Sequence, residues 1–135
     1  MNRLGVISVI SVALILTMSA CNHAKSVSND WRVGGLYSTA DGKGQFSVVK
    51  ILVLEPNAVH VRIYQQRFST RPTSVDPASL TLGQLDGKQG FSIGHIPLSG
   101  SSFARWEPVF ITQQSVSDGE LEGYKAWKEA KGGVF

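Results

Sequence analysis

Residues 45–68 read QFSVVKILVLE, then Pro56-Asn57 within PNAVHVRIYQQRF: two strand-length runs rich in β-branched and aromatic residues around a turn dipeptide. That pattern predicts a β-hairpin, because branched side chains suit a pleated surface and Pro-Asn suits a reversal. A turn at Pro56-Asn57 sets Leu54 opposite Val59 and Val53 opposite His60. Strand side chains alternate between faces. One face then collects Phe46, Val48, Leu52, Leu54, Val59, Val61 and Ile63, with Lys50 near its end. The other mixes Val49, Ile51 and Val53 with His60, Arg62 and Tyr64. A half-apolar second face needs a cover, so the hairpin is expected to be sandwiched or curled into a small barrel.

Shorter elements flank it. Residues 31–37, with Val33, Leu36 and Tyr37 around Gly34-Gly35, predict a short, bent first strand. Asp41-Gly42 marks a turn, and residues 69–77, with two prolines, a loop. Leu80, Leu82 and Leu85 suggest a short strand or helical turn before Asp86-Gly87. Residues 91–96 alternate like a strand stopped by Pro97, residues 99–106 suit one or two helical turns ended by Pro108, and residues 109–112 read as another strand. Ser117-Asp118-Gly119-Glu120 has capping-box spacing. Acidic residues follow it and Lys125, Lys128 and Lys131 lie further on, as the helix dipole favours. Leu121, Tyr124 and Trp127 give this C-terminal helix an apolar stripe, Gly132-Gly133 ends it, and Gly123 costs it about 1 kcal/mol relative to Ala. The expected fold class is α+β: a curled, mainly antiparallel sheet or small partly open barrel with a C-terminal α-helix, in one domain over residues 31–135.

The first twenty residues differ in kind. Arg3 is their only charge, residues 4–20 are apolar or small apart from Thr17, and Met18-Ser19-Ala20-Cys21 closes the run. A basic start, an apolar stretch and small residues before a break form a secretory signal. The run is slightly short for a spanning helix, which needs about 20 apolar residues. The alternatives are an uncleaved anchor helix and an ordinary cleaved signal. Met18-Ser19-Ala20-Cys21 resembles the lipobox of bacterial lipoproteins, with Met18 where Leu is usual. The resemblance implies diacylglycerol on the Cys21 sulfur, cleavage before Cys21 and acylation of the new amino group. It also implies an envelope location, with Asn22 after the cysteine favouring the outer membrane. Two or three acyl chains would hold a domain stably on a bilayer, where one binds only marginally. Residues 21–30 then form a lipidated cysteine and a polar tether whose nine residues after Cys21 span at most about 30 Å.

Cys21 is the only cysteine among 135 residues. Once acylated it leaves no thiol for a disulfide, a thiolate metal site or cysteine catalysis. Thirteen Lys and Arg less Arg3 leave twelve against ten Asp and Glu, so the mature chain carries about +2. That imbalance is small and has no like-charge run, which argues against nucleic acid as a partner.

No catalytic constellation, metal motif or cofactor motif stands out. His23 lies in the tether, His60 and His95 on separate strands; a zinc site from His60, His95 and a distant carboxylate has no motif behind it. No Gly-x-Ser-x-Gly elbow exists, and Ser99 reads as a helix cap. Nothing places Glu107 beside Asp118. Residues 41–44 either cradle an anion through backbone amides or simply turn. The candidate interaction surface is His60, Arg62, Tyr64, Arg67 and Arg71, weighed against an ordinary solvated face. These readings favour a lipid-anchored, periplasm-facing, non-enzymatic binding module without a cofactor, in a specific form an immunity or inhibitor protein whose partner is an envelope or toxin protein. The alternatives are a small envelope hydrolase acting on peptidoglycan or lipid through His60 or His95, and a structural envelope protein.

Overall fold

The computed structural model describes residues 30–83 and 91–135. The signal segment, Cys21 and nearly all of the tether lie outside the described residues, as do Leu85 and Asp86-Gly87. No described helix is long and apolar enough to cross a membrane.

The fold is α+β. Strands β1 (Gly35–Ala40), β2 (Phe46–Glu55), β3 (Ala58–Phe68), β4 (Ile93–Leu98) and β5 (Val109–Gln113) form one antiparallel sheet in the order β4-β3-β2-β1-β5. The sheet is curled but not closed. Helix α1 (Gly100–Ala104) lies between β4 and β5, and α2 (Glu122–Glu129) ends the chain after a 3-10 turn at Gly119–Leu121. The first strand begins later than residue 31: Trp31 instead packs edge-on against Phe103, ring centroids 4.8 Å apart.

Both faces are covered, as the half-apolar hairpin required. On the first face Tyr37, Val49, Ile51, Val59, Val61, Ile63 and Leu98 pack around Phe103 of α1. On the second, Leu36, Val48 and Tyr64 pack with Phe68, Val75, Leu80 and Ile111, while Lys50, His60 and Arg62 lie beside them toward α2.

The hairpin pairs as expected at its turn, Leu54 with Val59 and Val53 with His60. Beyond that the expected faces are corrected. A bulge between Ile51 and Val53 inserts Leu52, and one extra residue exchanges the faces of everything after it. Val49 therefore pairs with Ile63 and Ile51 with Val61 in the first core, whereas Val48 and Lys50 turn to the second face. Pro97 does not stop β4 but lies within it. This is an edge strand, where a missing N–H costs no ladder bond. The Pro97 carbonyl accepts from Phe135 N–H, and Ser99 N–H donates to the Phe135 carbonyl, so the C-terminal tail covers that edge.

The caps largely follow the sequence. Ser99 Oγ accepts from Ser102 N–H and starts α1. Glu120 reaches back to accept from Ser117 N–H at 2.8 Å, but the Ser117 hydroxyl donates to the same carboxylate instead of capping a backbone amide. At the far end α2 stops at Glu129, three residues before Gly132. Lys131 takes the left-handed conformation (φ 51°), and Gly132 N–H and Lys131 N–H bond the carbonyls of Trp127 and Lys128 in a Schellman arrangement.

Candidate functional site

β3 and β4 are neighbours, with Val61 paired to Ile96 and His60 to Pro97. Alternation then turns His95 to the second face beside His60. The two histidines, separate in sequence, meet there: His60 Nδ1 lies 2.9 Å from His95 Nε2. Their rings are within 10° of parallel with centroids 5.2 Å apart, so this short N–N contact is edge to edge. His60 is fully buried. Tyr124 and Trp127 of α2 cover it edge-on, at 4.8 and 4.5 Å between centroids.

A carboxylate completes the line. Glu55, at the last position of β2, places Oε2 3.4 Å from His60 Nε2, too far off axis for a well-formed hydrogen bond. Its other oxygen accepts from the Tyr124 hydroxyl at 2.7 Å, and Lys128 Nζ lies 3.5 Å away. Hydrogen bonding from Tyr124 holds the Glu55 carboxyl below its usual range, with His60 and Lys128 acting the same way. Burial pushes His60 down, opposed by Glu55, and burial and then the neighbouring His60 push His95 down. Both rings are thus biased toward the neutral form. An ionised carboxylate only accepts, so Glu55 favours the His60 tautomer with its proton on Nε2, the one in which His95 Nε2–H donates to His60 Nδ1.

This line of carboxylate, imidazole and imidazole has the order of a proton relay; its middle member His60 is closed off, whereas His95 at its outer end is half-buried. Gly123 of α2 lies against the outer ring: a β-carbon there would stand 2.6 Å from His95 Cβ. Nor do the two rings open a zinc site. Zinc sits about 2.0–2.1 Å from each imidazole nitrogen, and facing nitrogens 2.9 Å apart leave no room between them. Among the described residues no group of three His, Cys, Asp or Glu is disposed to hold a metal ion.

Beside it is a buried ion pair. Lys50, 5 % exposed, donates to Ser115 O at 2.6 Å and to both Glu120 oxygens at 2.9 and 3.0 Å, so all three of its N–H groups are used. Burial pushes the Glu120 carboxyl up; the Ser117 amide and Lys50 more than offset this and hold it low.

The five residues expected to share an outward face are dispersed. His60 is buried, and Tyr64 packs with Leu36 and Val48. Arg62 donates to Gly94 O and faces Glu120 at 3.6 Å. Arg71 donates to Ser38 O, Ser38 Oγ and Glu107 O, with its guanidinium over the Phe46 ring, and so pins the loop to the sheet. Arg67 leaves the group altogether. Alternation carries Arg67 with Val61 and Ile63 to the first face, and the irregularity between Ser47 and Val49, four β3 residues against two of β2, preserves it, so Arg67 pairs with Ser47. Both line a cleft of about 340 Å³ on the first face, with Val49, Ile63, Arg105 and Trp106. The Asp41 turn at its rim is self-satisfied, since Asp41 Oδ1 accepts from Lys43 and Gln45 N–H. Glu107 has Arg71 as its ion partner, at 3.7 Å.

Sequence reasoning missed Glu55, Lys50–Glu120 and the use of Gly123. Of these, Glu55 alone left a usable signal: the turn at Pro56-Asn57 brings it within two positions of His60's cross-strand partner. No protein-family model, curated protein or solved structure matches the chain.

Proposed function

We propose that this chain is a lipid-anchored envelope protein whose folded domain is a non-enzymatic binding module. The observation that carries the reading is the burial of His60, the ring next to the carboxylate. His60 is fully buried beneath Tyr124 and Trp127, and α2 rests on His95 through Gly123. A general base must come within hydrogen-bond reach of the proton it takes; His60 serves the packing of β3, β4 and α2 instead. The cleft beside Arg67 and Trp106 is a concave surface open to a ligand. The anchor itself is carried by Met18-Ser19-Ala20-Cys21, and outer-membrane sorting by Asn22. In the immunity or inhibitor form, the module would intercept a toxin or hydrolase at the envelope.

The carboxylate–His60–His95 order favours a second reading, the small envelope hydrolase. The two separate in one set of assays. Full-length protein purified from envelopes is screened for hydrolysis of sacculi and lipid esters, and probed by crosslinking for a toxin or envelope partner. The binding module predicts a discrete crosslinked partner or ligand and no turnover. Turnover lost in His95→Gln would establish the hydrolase in its place.

A further inference from the structure

We infer that the cleft lined by β1, β2, β3 and the residues after α1 is a binding site for a small anion with an apolar, ring-sized body. The inference rests on the binding-module reading and names its ligand class. It starts from the arginines. Among the described residues, Arg32 pairs with Asp30, Arg62 with Glu120 and Arg71 with Glu107. Arg67 and Arg105 have no described carboxylate within ion-pair distance, and both line this one cleft.

Arg67 is also held in place. Its Nη1 donates to Tyr64 O at 2.7 Å and Gln66 O at 3.0 Å, and its Nη2 to Phe91 O. A guanidinium has five N–H groups in a rigid fork, so carbonyls orient Arg67 while its Nε–H and one Nη2–H keep no described acceptor. Among the described residues the Arg105 side chain donates only to Ser102 Oγ, at 3.1 Å. Carbonyl dipoles position a guanidinium without neutralising its charge; an anion would, through the charge-assisted bonds arginine forms best. The one acid on the rim, Asp41, is held ionised by the amides of Lys43 and Gln45 on its Oδ1, so an anion is favoured at the arginine end of the cleft.

The rest of the lining mixes apolar side chains, Val49, Ile63, Phe91 and Trp106 among them, with the hydroxyls of Thr39 and Ser47. Trp106 is set by a strained neighbour: Glu107 has φ 52°, and Trp106 O accepts from Ala40 N–H at 2.8 Å. A non-glycine residue in that region is strained, here where it sets the carbonyl of Trp106 beside the cleft. About 340 Å³ lies at the small end of ligand pockets, which run from roughly 300 to 1,000 Å³. One ring with one anionic group fits that size and that lining.

The test uses the full-length chain in lipid nanodiscs, with the methyl NMR signals of Val49 and Ile63 as readout. Phenyl phosphate and benzoate are titrated beside benzyl alcohol and inorganic phosphate, which carry only the body or only the charge. At least one aromatic anion is expected to shift both methyls saturably, about tenfold or more tighter than either half-probe. Arg67→Gln with Arg105→Gln is expected to weaken it by about tenfold or more. Since Arg67 also ties three carbonyls, Arg105→Gln alone is measured as well and should weaken binding without changing the unfolding temperature. Equal binding of benzyl alcohol, unchanged affinity in Arg105→Gln, or no saturable shift overturns the proposal. Such a failure leaves crosslinking to a protein partner unaffected, and so leaves the binding-module reading standing.

Discussion

At Gly123 the intrinsic preference of a helix and the needs of its packing oppose each other. Alanine would gain the helix about 1 kcal/mol, but its β-carbon would lie 2.6 Å from His95 Cβ and 3.1 Å from His95 Cγ. Overpacking a well-filled contact costs typically about 1–3 kcal/mol. Gly123→Ala should therefore gain the domain nothing and destabilise it by up to about 2 kcal/mol in urea unfolding, where a simple propensity argument expects stabilisation. The paired rings make a second prediction. Burial lowers both His60 and His95, which face Glu55, Tyr124 and Lys128 across the interface. The unfolded chain then binds more protons than the native one once pH falls below the ordinary histidine value of about 6.5. Stability from these groups is complete above that pH and is lost as pH falls toward their lowered native values. His95→Gln should flatten the decline of unfolding free energy between about pH 7 and pH 5; an unchanged slope would remove the pair as its cause. Neither residue's role was legible in sequence. His95 meets His60 only through the register of two strands separated by a long loop, and Gly123 looked like a helix defect because its partner was hidden.

Elements were more legible than faces. The alternation in residues 58–64 and the Pro56-Asn57 turn specify a hairpin and its register near the turn, and both appear. Leu52 then inverts the rest, since a bulge is one residue among similar aliphatics with no Gly or Pro to mark it. That inversion places Lys50 under the start of α2, where a face assigned by strict alternation would bury it in the apolar core. Glu120 shows the converse. Its capping role was readable from the Ser117 spacing, but not its second task of pairing with Lys50, 70 residues away. Removing one partner of a buried pair leaves an uncompensated charge and costs about 3–5 kcal/mol. Glu120 is less enclosed than Lys50, so Lys50→Met should cost about 3 kcal/mol by this reasoning. The double variant with Glu120→Gln should lose less than the sum of the two single losses, as coupled neighbours do. Additive losses in a double-mutant cycle would show that the pair does not couple α2 to the sheet.

At the scale of the whole molecule, the two sheet faces have different work. The second face is closed by α2 over a polar line of Glu55, His60 and His95, which holds strands and helix together. The first face keeps an apolar core around Phe103 and opens, near Arg67 and Trp106, into the cleft. The two-sided cover was readable from a hairpin apolar on one face and half apolar on the other. The cleft was not, because it is assembled from β1, β2, β3 and the residues after α1. A short tether after Cys21 would keep this domain within tens of ångströms of a bilayer, and the proposal that it binds its ligand there depends on the anchor. Metabolic labelling with an alkyne palmitate analogue, read on membrane fractions from cells making the wild-type chain or Cys21→Ser, tests that anchor most directly. The predicted result is label on the wild-type chain in the membrane fraction and none on Cys21→Ser. Label retained by Cys21→Ser, or a wild-type chain that takes up none and stays with the soluble fraction, would contradict it.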